Sequence, residues 1–102
     1  MYKSAFADMK IKVVQQNGKW MIYDEYYELI DDNYGNGFES ANEAMRMFKK
    51  VINGIRIVPD KKDFFRYVIQ DFSGRILDDA QGYGYKSIGN AYRAYKYKTG
   101  KF

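Results

Sequence analysis

Sliding the chain past itself by 47 positions aligns Trp20 with Tyr67 and runs without a gap to Lys50 against Tyr97, with 10 identical residues in 31 pairs. About two matches are expected by chance from a composition of this kind. The identities are Ile22/Ile69, Asp24/Asp71, Asp31/Asp78, Asp32/Asp79, Gly35/Gly82, Gly37/Gly84, Ser40/Ser87, Ala44/Ala91, Arg46/Arg93 and Lys49/Lys96. Pairs such as Trp20/Tyr67, Leu29/Ile76, Phe38/Tyr85 and Phe48/Tyr95 keep size and apolarity, so both copies hold the positions that pack. The chain has 102 residues, enough for one core and too few for two. The sequence therefore predicts a single domain over residues 1–102, made of two repeats at about 9–53 and 54–98.

Each repeat reads as strand, strand, strand, helix. In the first, strands at 9–15 and 19–25 flank Asn17-Gly18, a pair that supplies the positive φ angles of a tight hairpin. A third strand follows at 28–32 after a reversal at Tyr26-Tyr27, matched in the second repeat by Ser73-Gly74. Ser40 then caps a helix, with Glu43 completing a capping box, and Ser87 with Asn90 repeats the start. Apolar residues at helical spacing, Ala41, Ala44, Met45, Phe48, Val51 and Ile52, give one buried face, and Gly54 serves as the stop. The second repeat predicts strands at 55–58, 64–71 and 75–79 and a helix over 87–97. The expected fold class is α+β: two tandem β-β-β-α units related by a pseudo-twofold, forming an antiparallel sheet with two helices packed on one face.

With no Cys and no His, the chain lacks disulfides, thiolate nucleophiles, the usual zinc ligands and imidazole catalysis, so the expectation is no enzyme, no cofactor and no metal. The start, MYKSAFADMK, is too polar for a secretory signal and predicts a cytoplasmic protein, and no apolar run is long enough to span a membrane. Net charge is +4, divided as 7 basic and 8 acidic residues through Val51 and 10 basic and 5 acidic after it. Aromatics make up 19% of residues, with 11 Tyr, and a core this small cannot enclose so many phenols. Tyrosines at the surface serve as protein-binding anchors or as base-stacking platforms.

Gly-x-Gly before a helix resembles a phosphate loop, but the strands read as hairpins and a serine cap follows, so a structural turn is the better reading. The pairs Asp31-Asp32 and Asp78-Asp79 invite a metal-dependent nuclease reading. Neighbouring strand residues point to opposite faces, which favours strand termination and contact with the adjacent loop backbone. Arg46, Lys49, Arg93 and Lys96 lie off the apolar stripes and are expected to face solvent.

The run Asp-Asp-x-x-Gly-x-Gly-aromatic-x-Ser followed by a helix, at Asp31–Ser40 and Asp78–Ser87, resembles short duplicated proteins of phages, plasmids and conjugative elements. The hairpin and helix are also similar to the arm-type DNA-binding domains of phage integrases. The first resemblance implies a mobile-element protein acting in the cytoplasm of a host cell. On it rests the expectation of a non-enzymatic inhibitor that occludes a host nucleic-acid-handling defence protein, as anti-CRISPR or anti-restriction proteins do. The expected partner contacts are Tyr92, Arg93, Tyr95, Lys96 and Tyr97 on one side and Asp24, Glu25, Tyr26, Tyr27 and Glu28 on the other. The alternative is direct binding of DNA or RNA through Arg46, Lys49, Lys50, Arg66, Arg75, Lys86, Arg93, Lys96 and Lys98. The chain is expected as a monomer or a homodimer, the latter by pairing of an exposed edge strand.

Overall fold

Eight elements follow in the order β-β-β-α, β-β-β-α: β1 Ile11–Gln16, β2 Lys19–Asp24, β3 Leu29–Asp31, α1 Ala41–Val51, β4 Ile55–Pro59, β5 Tyr67–Asp71, β6 Ile76–Asp78 and α2 Ile88–Thr99. The structure is a computed structural model and describes residues 9–100. The class is α+β, as expected, but the strands do not join into one sheet. They form two separate antiparallel sheets, ordered β1-β2-β3 and β4-β5-β6.

The local geometry recurs at the 47-residue offset. A register shift falls between Ile22 and Tyr23 in one sheet and between Ile69 and Gln70 in the other. Beyond the third strand, Trp20 bridges Phe38 and Tyr67 bridges Tyr85. The glycines just before these bridges are required twice over: Gly37 and Gly84 each have φ +74°, and an added Cβ would sit 2.5 Å from that of Lys19 or 2.6 Å from that of Arg66. Gly-x-Gly is thus a close-approach turn beside β2 or β5. Ser40 Oγ accepts from the Glu43 amide and Ser87 Oγ from the Asn90 amide, so both helices start as the sequence predicts.

Most strand ends fall within one or two residues of expectation, and the larger or more informative differences have local causes. Helix α1 ends at Val51 with Ile52 as its C-cap, and Gly54, at φ +81°, turns the chain two residues later. Pro59 closes β4 as its last paired residue, opposite Tyr67, which its place on an edge strand permits. Helix α2 runs on to Thr99, where Gly100 in the left-handed region stops it. The strand expected from residue 64 begins at Tyr67, because Phe64 and Phe65 lie in a loop.

Ile22, Ile30, Phe38, Ala44 and Phe48 from the first unit and Ile55, Ile57, Ile69, Ala91 and Tyr92 from the second belong to one buried cluster. Phe48 and Tyr92 stack near parallel within it, with ring centroids 5.7 Å apart. The units meet asymmetrically. Helix α1 packs on β1 and β2 of its own sheet, whereas α2 packs on β4 and β5 and also reaches across to β3. A pseudo-twofold would bring α1 onto β6 in the same manner. Instead Asn42, Arg46 and Lys49, which match Gly89, Arg93 and Lys96, are exposed. The matching positions differ sterically: an added Cβ on Gly89 would lie 1.9 Å from the Leu29 carbonyl oxygen, and Asn42 carries such a Cβ.

Candidate functional site

Most of the helix residues expected at a partner surface are spent on the contact between units. Lys96 is fully buried, and its Nζ donates to both carboxylate oxygens of Asp31 at 3.0 and 3.1 Å. Tyr92 is equally buried and donates its hydroxyl to Asp31 Oδ2 at 2.8 Å. Burial pushes the Tyr92 phenol far up from its ordinary value, and the Asp31 carboxylate pushes it further. Arg93 donates to the Leu29 and Ile30 carbonyls at 2.6 and 3.3 Å, pinning α2 to the end of β3. Tyr97, although exposed, stacks on Tyr34 of the first unit at 5.1 Å, and Tyr95 is half-buried against the core. The expectation that Lys96 and Arg93 face solvent is therefore corrected, Lys96 being fully buried and Arg93 half-buried against the end of β3. The Lys96 ammonium replaces water around a buried carboxylate that no described residue of the first unit neutralises.

The duplicated aspartates act on the chain's own backbone, as expected of strand-terminating pairs. Asp31 and Asp78 accept from the amides of Asn33 and Ala80, and Asp32 and Asp79 from those of Gly35 and Gly82. Among the described residues no group of carboxylates is placed to hold a metal ion.

Of the cations in the nucleic-acid alternative, Arg66 reaches the Gly84 carbonyl, Arg75 pairs with Asp71, and Lys98 pairs with Asp78 at 2.9 Å. Arg46, Lys49 and Lys50 flank a shallow groove on the exposed side of α1. Lys86 stands apart, exposed just before α2.

The acidic turn stays at the surface. Asp24 Oδ1 accepts from the amides of Tyr26 and Glu28, fixing the reversal between β2 and β3. Tyr27 takes φ +63° where the second unit has Gly74, a left-handed backbone that costs a tyrosine about 1 kcal/mol. Its exposed ring receives Lys12 Nζ at 4.1 Å. Glu25, Tyr26 and Glu28 are exposed beside it.

Across a cleft from this turn lies the feature that sequence reading missed. In the hairpins, Val13 pairs with Ile22 and Ile57 with Ile69, so the first strands are offset by 44 residues while the second strands are offset by 47. The difference is a longer tip: Asn17-Gly18 in one unit, residues 61–65 in the other. The longer tip is built of two successive turns. The Asp63 amide donates to the Asp60 carbonyl and the Arg66 amide to the Asp63 carbonyl, while the Asp60 amide pairs with the Arg66 carbonyl. Carboxylates of Asp60 and Asp63 hold the amides of Lys62 and Phe65. Asp60 itself is buried. On this braced frame Phe64 and Phe65 are 74% and 89% exposed. The signal was present in the sequence as a change of repeat offset, hidden because the ungapped alignment begins only at Trp20.

Asp24, Tyr26 and Glu28 from the first unit and Phe64, Phe65 and Tyr67 from the second line one cleft of about 200 Å³. It is too small for a cofactor, and it joins rings and carboxylates that lie about 40 residues apart in sequence. No protein-family model, curated protein sequence or solved structure matches the chain. Among the described residues no helix is long and apolar enough to cross a membrane.

Proposed function

We propose that the chain is a non-enzymatic protein-binding module that docks through the Phe64–Phe65 loop and the facing Tyr26 turn. The observation that carries this reading is the pair of phenylalanines held out in water by a loop braced through the amides of Asp60, Lys62, Asp63, Phe65 and Arg66. Each ring transfers about 1.5–3 kcal/mol of apolar burial to whatever covers it, and a braced loop loses little entropy on docking. Large rigid rings beside a charged rim are the usual make-up of an interface hot spot. In this reading the two units are tandem copies of one module, and the second has acquired the longer tip as its docking element. The resemblance to short proteins of phages and other mobile elements supplies the partner class: a host protein that handles nucleic acid, blocked by occlusion in the host cytoplasm.

The test compares the full chain with the double variant Phe64→Ala/Phe65→Ala. Cross-linking in a host-cell lysate followed by mass spectrometry should identify a partner with the parent chain and lose it with the double variant, at unchanged Tm. A partner retained by the double variant overturns the reading. The groove at Arg46, Lys49 and Lys50 supports the nucleic-acid alternative, for which duplex or single-stranded DNA should bind with an affinity that falls steeply with salt and ignores the two phenylalanines.

A further inference from the structure

The cleft between the units has a chemistry more specific than that of a general apolar patch. One wall carries Tyr26 between Asp24 and Glu28; the other carries Phe64, Phe65 and Tyr67. Aromatic faces concentrate negative potential, and a carboxylate beside them adds a full charge. The titratable groups facing the cleft are Asp24, Glu28, Tyr26, Tyr67 and, from the wall that leads into α2, Lys86, so the balance is one negative charge at neutral pH. This is a local reversal, since the chain as a whole is +4. A cleft of about 200 Å³ takes one long side chain and little else.

We infer that this cleft receives an arginine of the protein partner, with the guanidinium stacked against the rings and paired with Glu28. The inference rests on the docking reading above and deepens it by naming the chemistry of the partner's anchor. Arginine fits better than lysine because its planar group stacks on an aromatic face and meets a carboxylate through two parallel N–H donors. Asp24 has a different task, since its Oδ1 holds the turn amides and so fixes the position of Tyr26 and Glu28. The longer tip of the second hairpin brings the opposite wall into place, which explains why a loop and a turn from different units share one cleft.

The probe is a capped tripeptide, acetyl-Gly-Arg-Gly-amide, titrated into the ¹⁵N-labelled full chain. Saturable amide shifts are expected at 24–28 and 64–67. The citrulline tripeptide, equal in shape and uncharged, should bind about tenfold more weakly. Phe65→Leu keeps the loop apolar and removes the π face, so it should weaken the arginine peptide several-fold, and Glu28→Gln should do the same. Equal binding of citrulline and arginine, or shifts confined to other residues, overturns the inference. Should Glu28→Gln leave partner capture untouched while Phe64→Ala/Phe65→Ala abolishes it, the arginine assignment falls and the docking surface stands. Should the peptide saturate the cleft while partner capture ignores both phenylalanines, it is the docking reading that falls.

Discussion

Asp31 and Asp78 end the third strands of the two sheets, β3 and β6, yet their surroundings are opposite. Asp31 is enclosed by the other unit, with Tyr92 and Lys96 of α2 on its carboxylate. Asp78 is served by its own unit: Tyr85 donates its hydroxyl at 2.6 Å and Lys98 its ammonium at 2.9 Å. Tyr85 matches Phe38, which has no hydroxyl to give, and Lys98 matches Val51. The hydroxyl and ammonium supplied to one aspartate by α2 across the boundary come to the other from within. The contact between units is therefore directional. The second unit's third strand needs no further helix, and Ile76 and Leu77 remain at the surface where Ile30 is fully buried.

Removing the ammonium at each aspartate gives the largest expected difference. Lys96→Ala leaves a buried carboxylate without its counter-ion and should cost about 3–5 kcal/mol in urea unfolding. Lys98→Ala, which removes an exposed ammonium from the matching carboxylate, should cost about 1 kcal/mol or less. Equal losses would mean that the two sites are alike. Next comes the steric difference. Gly89→Ala drives a Cβ into the Leu29 carbonyl and should cost about 1–3 kcal/mol, whereas Asn42→Ala on the exposed counterpart should stay within about 0.5 kcal/mol.

Titration separates the sites further. The folded-state pKa of Tyr92 is raised by burial and then by Asp31, so its contribution is complete below the ordinary phenol value of 10.0 and is lost as pH climbs past it. Tyr85 is raised less strongly, by burial and by its bond to Asp78, with Lys98 opposing. Tyr92→Phe should therefore flatten the alkaline limb of stability against pH more than Tyr85→Phe does. At Asp78, burial pulls the pKa upward, but bonds from Tyr85, the Ala80 amide and Lys98 prevail and lower it. Its contribution is present above 3.8 and disappears as pH falls below that value, so Asp78→Asn should flatten the acid limb. The smallest effect on stability is expected at the binding loop, where Phe64→Ala/Phe65→Ala should change unfolding by about 0.5 kcal/mol or less while removing the partner.

Elements governed by short-range chemistry were legible in the sequence. Asn17-Gly18 turns the first hairpin with φ angles of +53° and +80°, and both serine caps form. What lay beyond reading was the choice between equivalent surfaces. Lys96 and Lys49 are identical in type and helix position, and only packing decides that one is buried while the other is exposed. Periodicity also mistook Phe64 and Phe65 for strand, because two large apolar residues beside Tyr67 and Val68 look like a buried run. Their exposure follows from hydrogen bonds among Asp60, Asp63 and Arg66, which no hydrophobic pattern encodes.

The difference in length between the two hairpin tips has a consequence for engineering. Five residues in one tip stand where two suffice in the other, and the ladders beneath keep matching partners, Val13 with Ile22 and Ile57 with Ile69. The sheet thus tolerates a change of cargo at its crest without re-threading. Transplanting 61–65 in place of Asn17-Gly18 would make a bivalent display scaffold, with paired presentation built from a single polypeptide.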